Sequence, residues 1–368
     1  MKIMLLLSSL NAGGAERVGV SLANAWVERG YEVVLVATFN QGCGESFYPL
    51  DDRVRVVWLS QLMPQNKLLK RGLKPFYLRR VMRQERPDIM VSFLTNVNVM
   101  SLIASMGLRI PLIVSERSNP LHQKISSALK SLRRRLYPRA DVVMLQTKQA
   151  ADEFQASMPA LKSLVVMPNP LPLDLQLSAL SVEKPQRIMA MGRLVKSKQF
   201  DLLIHVFSQA SKQIPGWTLH IYGDGPEREK LQQLIGSLNK TESIFLEGKT
   251  TEPWEKMREA QIFAMTSRLE GFPNAMMEAM AMGLPVIAFD CPSGPREISQ
   301  EGQCAQIVPL DDTQQFQAGL IRMMQDTAYR QSMASCGQEH VFTHYCQEQV
   351  LGQWDALFEQ LLDRPLKH

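Results

Sequence analysis

Short apolar runs alternate with longer amphipathic stretches along nearly the whole chain, and this rhythm limits the possible folds more than any other feature. It is the pattern of a parallel sheet covered on both faces by helices. In the first half the strand candidates are Ile3–Ser8, Glu32–Thr38, Val54–Leu59, Ile89–Phe93, Leu112–Ser115, Val142–Gln146 and Leu164–Met167. The rhythm then stops at Pro168, Pro170 and Pro172, followed by a polar stretch and Pro185, which cannot sustain a helix or a central strand. It restarts with Arg187–Ala190, Thr218–Tyr222, Ser243–Leu246, Ile262–Met265, Val286–Phe289 and Ala305–Val308. Two α/β domains in tandem are expected, at 1–170 and 186–346, with a linker at 171–185. The last stretch, 347–368, has Val350, Trp354, Leu357, Phe358 and Leu361 at helical spacing and should pack one apolar face, with the N-terminal domain as a candidate surface.

The length of 368 residues, 45% hydrophobic and 21% charged, suits two such domains and excludes both disorder and a small stapled scaffold. No segment reaches the ~18 apolar residues of a transmembrane helix. The run from Met1 to Leu7 leads into Asn11-Ala12-Gly13-Gly14 without a cleavage pattern, so it reads as a buried strand and not as a signal peptide. Five cysteines, Cys43, Cys291, Cys304, Cys336 and Cys346, stand at unrelated spacings without a Cys/His cluster. Neither a disulfide framework nor a zinc site is indicated, and a reducing, cytoplasmic setting fits.

Charge is distributed unevenly. Residues 1–170 hold 23 Lys and Arg against 12 Asp and Glu, a net of +11, so the remainder carries −6 of the total of +5. Within 60–140 the imbalance is 16 against 3, an excess that marks an anionic partner: phosphate, phospholipid or nucleic acid.

Three segments could carry chemistry. Asn11-Ala12-Gly13-Gly14-Ala15-Glu16-Arg17 follows the first strand and opens a helix; its glycines admit close ligand approach and its N–H groups favour an anion, although a tight strand-to-helix turn explains it equally well. It is not GxGxxG, so a nicotinamide or flavin site is unsupported. Gly192-Arg193-Leu194-Val195-Lys196-Ser197-Lys198 follows the first strand of the second domain, where Arg193 and Lys198 could converge on a diphosphate. Glu270 and Glu278 bracket a Gly271-Phe272-Pro273 loop that leads into a helix rich in Met and Ala. A buried Glu278 needs either a hydroxyl-rich ligand or a nearby cation, Arg193 or Arg296. Met276, Met277, Met280 and Met282 read as core packing.

The E-x7-E spacing of Glu270 and Glu278 resembles that of retaining glycosyltransferases of family 4, which have the GT-B fold. Gly13 to Arg17, Gly192-Arg193-Leu194 with Lys198, Gly223-Asp224-Gly225-Pro226, Gly271-Phe272-Pro273 and Gly283-Leu284-Pro285-Val286 carry the resemblance in the family's order. Gly44-Glu45-Ser46-Phe47-Tyr48 and Val91-Ser92-Phe93-Leu94 further resemble bacterial enzymes that extend undecaprenyl-diphosphate-linked oligosaccharides, N-acetylgalactosaminyltransferases among them. The resemblance implies two Rossmann-like α/β domains facing each other across a cleft, the first binding acceptor and the second a nucleotide sugar.

It also implies roles. Gly13 and Gly14 would lie against the donor, and Arg193 and Lys198 would stabilise the leaving diphosphate. Glu270 with Gly271, Phe272, Pro273, Asn274 and Ala275 would hold the donor sugar and phosphate. Glu278 would bind the ribose diol, and Gly248-Lys249-Thr250 would meet the base. No metal or cofactor is expected. Many relatives carry a His where Ser115-Glu116-Arg117-Ser118-Asn119 stands here, and Arg117 replaces it. A guanidinium cannot act as a base, so Glu116 and Arg117 are a possible acceptor or sugar site, or a structural ion pair.

The basic stretch reads as two amphipathic helices, Lys67 to Arg86 and Leu121 to Tyr137, which present Lys70, Arg71, Lys74, Arg79, Arg80, Lys130, Arg133, Arg134 and Arg135 to an anionic membrane or an acceptor diphosphate. The alternative is that their apolar stripes, Leu68, Leu69, Leu73, Phe76, Tyr77 and Val81 in the first and Leu121, Ile125, Ala128, Leu129, Leu132 and Leu136 in the second, pack inward and the charges are only solvated. The expected activity is metal-independent, retaining transfer of a hexose or N-acetylhexosamine from a nucleotide sugar, UDP-linked, to a polyprenyl-diphosphate-linked saccharide in bacterial surface glycan assembly, with the protein peripheral at the inner face of the cell membrane. A sugar-nucleotide epimerase and a nucleic-acid-binding protein are the competing readings; no nucleic-acid module supports the second.

Overall fold

The computed structural model describes residues 1–39, 44–64, 67–172, 175 and 184–363, and for 67–71 the backbone alone. Cys43 and most of the 171–185 linker lie outside the described residues. The chain divides into two compact units, Met1–Pro170 with Glu348–His368, and Leu171–Gln347.

In the first unit the chain runs β1 (Lys2–Leu7), α1 (Gly14–Glu28), β2 (Glu32–Ala37), β3 (Arg55–Trp58), α2 (Lys67–Glu85), β4 (Ile89–Phe93), α3 (Thr95–Ala104), β5 (Leu112–Ser115), α4 (Ser127–Leu136), β6 (Val142–Leu145), α5 (Lys148–Ser157) and β7 (Leu164–Val166). Seven strands pair in parallel in the order β3-β2-β1-β4-β5-β6-β7. Strand β1 lies in the middle, with Ile3 opposite both Val33 and Ile89. Its side chains alternate between two cores, as period-two geometry requires. Ile3, Leu5 and Leu7 join Val18, Leu22 and Trp26 of α1 on one face, while Met4 and Leu6 join residues of α2, α3 and α5 on the other.

The second unit repeats the plan with β8 (Arg187–Met191), α6 (Phe200–Gln213), β9 (Thr218–Tyr222), α7 (Arg228–Ser237), β10 (Ile244–Gly248), α8 (Pro253–Arg258), β11 (Ile262–Met265), α9 (Asn274–Ala281), β12 (Val286–Asp290), α10 (Pro295–Ile298), β13 (Gln306–Pro309), α11 (Thr313–Gln325) and α12 (Thr327–Tyr345). Its six strands are parallel in the order β10-β9-β8-β11-β12-β13. Met276, Met277, Met280 and Met282 are buried in the core shared by α9, β11 and β12, as their spacing suggested.

The last helix, α13 (Gln347–Leu362), docks on the first unit. Val350, Trp354, Leu357, Phe358 and Leu361 enter the α1 core, where Trp354 meets Trp26 edge-on at 5.4 Å. Arg29 of α1 pairs with Glu348 at 2.7 Å and with Asp355, which also accepts from the Tyr31 hydroxyl.

Three expectations are corrected. The helix read from Leu121 begins only at Ser127, because the Ser126 hydroxyl accepts from the Leu129 N–H and starts the helix there; Leu121 and Leu132 are exposed. In α2 the inward face is Leu78, Val81 and Met82, while Leu73 and Phe76 of the expected stripe face outward. Cys304 and Cys336, 32 residues apart, form a disulfide, joining the segment before β13 to α12, where irregular spacing had suggested none.

Trp354→Ala would leave a large cavity beside Trp26. A loss of about 3–5 kcal/mol is expected, and an unchanged denaturation midpoint would show that α13 contributes nothing to this core.

Candidate functional site

In both sheets the strand order reverses beside the first strand, between β1 and β4 and between β8 and β11. Crossovers on either side of such a point leave in opposite directions, and the crevice at the carboxyl ends of these strands is where open α/β sheets bind ligands.

In the second unit the loop after β8 carries Arg193 and Lys198, and the loop after β11 carries Glu270. The two loops are tied together. The Thr266 hydroxyl donates to the carbonyls of Lys198 and Gln199, and the Arg268 N–H to that of Ser197. Lys198 Nζ then lies 2.5 Å from Glu270 Oε1. Arg193 is exposed on the same loop. Cys291 lies close to this pair, and burial pushes its thiol well above the ordinary range.

A second set of ties sets the height of these loops. Leu194, fully buried, donates its N–H to Asp224 O, Gly192 N–H bonds Tyr222 O, and Gly223 N–H bonds Gly248 O. Gly223 has φ +141, and a Cβ there would fall 1.9 Å from Gly192 O, so only glycine fits. Gly294, at φ +113, similarly admits the ring of Pro273 in the Gly-Phe-Pro loop. Phe272 of that loop packs edge-on against Tyr345 at 5.9 Å. Asn274 and Ala275 open α9, and Glu278, 1% exposed, lies along it. Of its two candidate cations, Arg296 pairs with Asp290 at 2.7 Å. The Thr250 hydroxyl, in the loop after β10, accepts from the Glu252 N–H.

In the first unit Gly13 and Gly14 sit at the start of α1. Glu16 accepts from the hydroxyls of Ser8 and Ser9, and Tyr48 braces the loop through hydrogen bonds with the Gly13 N–H and carbonyl, each 3.3 Å. The Phe47 N–H donates to Leu10 O. The segment 44–48 is thus the brace of the glycine loop.

Glu116 and Arg117 do not pair with each other. Glu116 is buried and accepts from Tyr137 Oη at 2.5 Å and Thr95 Oγ1 at 2.7 Å, with Arg133 at 3.8 Å. Burial pushes its carboxyl up, against those hydrogen bonds. Asn98 extends the network to Tyr137, Ser92 and the Ser115 carbonyl. Arg117 turns the other way: its guanidinium lies 4.2 Å from the Phe93 ring centroid and donates to Asn169, which also accepts from Gln146 at 2.8 Å. Among the described residues no carboxylate pairs with Arg117, and burial pulls its pKa down to about 9. Thr95, Asn98, Tyr137, Gln146 and Asn169 escaped the sequence reading; the Pro168-Asn169-Pro170 signature was visible only as a linker start.

The basic stretch divides. Arg133 is buried against Glu116, the Pro120 carbonyl and the Phe154 ring, so it is a core residue and not a surface cation. Arg79 caps α3 by donating to the carbonyls of Ala104 and Met106, and Lys74 lies 3.8 Å over the Phe39 ring. Arg80, Lys130, Arg134 and Arg135 are exposed, on helices α2 and α4 that both pack against α3. The side chains of Lys70 and Arg71 lie outside the described residues. No helix among the described residues is long and apolar enough to cross a membrane.

Removing the buried carboxylate with Glu116→Ala strands Tyr137, Thr95 and Arg133 and should cost about 3–5 kcal/mol. Glu116→Gln keeps an acceptor and should cost less than half as much; equal denaturation midpoints for the two variants would refute the network.

Family models agree with this architecture. One described as a glycosyl transferase 4-like domain matches residues 13–170, and one for glycosyl transferases group 1 matches 177–340. The amylovoran biosynthesis glycosyltransferase AmsD of Erwinia amylovora is 28% identical over 97% of this chain and 99% of its own. A Campylobacter jejuni GalNAc-alpha-(1->4)-GalNAc-alpha-(1->3)-diNAcBac-PP-undecaprenol alpha-1,4-N-acetyl-D-galactosaminyltransferase is 27% identical over 91% of this chain and 92% of its own. Among solved structures, S. aureus TarM superposes with a TM-score of 0.82 at 14% identity over 97% of this chain and 98% of its own. Anabaena HepE in complex with UDP gives 0.80 at 20% identity over 98% of this chain and 100% of its own. Two parallel-sheet domains, matched in sequence by two glycosyltransferase models and in architecture by these structures, place the chain in the family 4 glycosyltransferases with the GT-B fold.

Proposed function

We propose that this bacterial glycosyltransferase moves a hexose or N-acetylhexosamine from a UDP-sugar to a polyprenyl-diphosphate-linked saccharide, with retention at the anomeric carbon and without a metal. The observation that carries the reading is the meeting of Lys198 and Glu270, with Arg193 exposed on the same loop as Lys198, at the strand-order reversal of the second unit. A cation pair suits a diphosphate, and a carboxylate suits sugar hydroxyls. The UDP in the HepE structure and the undecaprenol-linked saccharides in the Campylobacter enzyme's name support the donor and acceptor classes.

In the proposed reaction the bond from the anomeric carbon to the diphosphate oxygen breaks first. Arg193 and Lys198 stabilise the charge that gathers on the departing phosphate. Glu270, released from Lys198 by the incoming diphosphate, accepts from the donor sugar hydroxyls with the backbone of Gly271 to Ala275 around it, and Glu278 accepts from the ribose diol. Gly13 and Gly14 leave room for the donor, and Thr250 stands near the base. The acceptor hydroxyl attacks from the face the diphosphate leaves, and its proton passes to the leaving phosphate oxygen. An epimerase would consume donor without an acceptor.

The exposed cations Arg80, Lys130, Arg134 and Arg135, interspersed with exposed Leu73, Phe76 and Leu132, suit a peripheral position on an anionic bilayer, the expected home of such an acceptor.

Arg193→Ala and Lys198→Ala should each lower turnover at least ~10²-fold, read by mass spectrometry of products from UDP- and GDP-sugar panels with synthetic polyprenyl-diphosphate saccharides. Near-normal rates in both variants would overturn the assignment. Changing Arg80, Lys130, Arg134 and Arg135 together to Ala should abolish sedimentation with anionic liposomes and leave the melting temperature in place; undiminished sedimentation would remove these helices from the membrane surface.

A further inference from the structure

Arg117 stands at the carboxyl edge of the N-terminal sheet with a buried guanidinium nitrogen left unpaired and, among the described residues, no carboxylate partner. It stands just past the carboxyl end of β5, while Phe93 ends β4, Gln146 follows β6 and Asn169 follows β7. Four adjacent strands therefore deliver their ends to one spot. The guanidinium is stacked on Phe93 and anchored to Asn169 through one terminal nitrogen. Its Nε is buried without an acceptor, and Gln146 Oε1, also buried, lacks a donor. Buried polar groups are normally satisfied, and each exception calls for an explanation.

Glu116, the adjacent carboxylate, is unavailable to neutralise it. Tyr137, Thr95 and Arg133 hold that group on the other side of the chain, so the same network that fixes the backbone at 116 also keeps Arg117 uncompensated. A flat cation held by an aromatic face and an amide, with a donor still open, matches a phosphate oxygen better than a neutral hydroxyl. Gln146 and Asn169 supply orientation without charge.

We propose that Arg117, steadied by Phe93 and Asn169, binds a phosphate of the acceptor's diphosphate at the carboxyl edge of the N-terminal sheet. The assignment rests on the lipid-linked acceptor of the proposed function. Arg117 is thereby a binding residue for the acceptor, and the Glu116 network is its positioning device.

The test is equilibrium binding of farnesyl diphosphate to the full chain, with the donor site held by saturating UDP. Wild type should bind. Arg117→Gln should bind at least tenfold more weakly, and Arg117→Lys, which keeps charge but loses the planar fork, should lose about threefold. UDP affinity, measured separately, should be the same in all three proteins. Unchanged farnesyl diphosphate affinity in both variants overturns the proposal, as does no binding by wild type. Displacement of farnesyl diphosphate by UDP also overturns it, since the phosphate at Arg117 then belongs to the donor. If Arg117→Gln melts early, Arg117→Lys decides alone. Sugar transfer by wild type to a diphosphate-linked saccharide is scored independently: binding through Arg117 without transfer rejects the proposed function and keeps this site, and transfer with unaltered binding does the reverse.

Discussion

Parallel strands impose the constraint from which the rest follows. Each connection must travel back across a sheet face, so both faces are covered and the carboxyl edge is left for loops. Where the strand order reverses, at β1/β4 and β8/β11, crossovers part to opposite faces and leave that edge open. Lys198, Glu270, Gly13 and Arg117 all lie at such edges. Rigidity there comes from loop-to-loop backbone bonds, such as Leu194 N–H to Asp224 O, and from Thr266 clasping the Lys198 turn. A loop held this way can present a charged group at a fixed height, which a free loop could not do without losing conformational entropy at each binding event.

The molecule handles its partly buried charges in three ways. Glu116 is surrounded by two hydroxyl donors and a guanidinium, so its burial is compensated locally and its removal is costly. Lys198 and Glu270 neutralise each other in a position that an anionic, hydroxyl-bearing ligand could take apart. Arg117, among the described residues, has a π face and an amide and no carboxylate. Guanidinium tolerates that environment because it is weakly hydrated and planar, where an ammonium would demand more of its surroundings.

How much of this could be read in advance depended on range. The thirteen strands among the described residues were visible as short apolar runs, most plainly the central ones buried on both faces, such as Ile3 to Leu7, and no tertiary knowledge is needed to see them. The Arg193, Lys198 and Glu270 loops were visible for a related reason: each immediately follows such a run. What escaped depended on contacts distant in sequence. Arg133 looked like its neighbours Arg134 and Arg135 in the basic run, and only the position of Glu116, seventeen residues earlier, makes it a core residue. Cys304 and Cys336 pair because α12 lies beside the segment leading into β13. Asn169 stood between two prolines and looked like linker, yet Pro170 restricts its backbone and its amide oxygen accepts from both Arg117 and Gln146.

The charge asymmetry of the first half therefore cannot be taken at face value. Arg133, Arg79 and Lys74 are committed to Glu116, to carbonyls at the end of α3 and to Phe39, so part of the positive excess works inside the domain. On the proposed membrane reading, Arg80, Arg83, Lys130, Arg134 and Arg135 are exposed cations among the described side chains of the two helices, and at about 1 kcal/mol each near anionic lipid they supply ~5 kcal/mol. Exposed Leu73, Phe76 and Leu132 add to that through apolar contact. An attachment of this size is reversible. It would concentrate the enzyme where a lipid-linked acceptor resides and still release it between acceptors, whereas a spanning helix would hold it permanently. On this account the electrostatics divides between two scales: a weak, distributed attraction of the N-terminal helices for a surface, and a single guanidinium at Arg117 whose open valence selects the phosphate of one molecule on it.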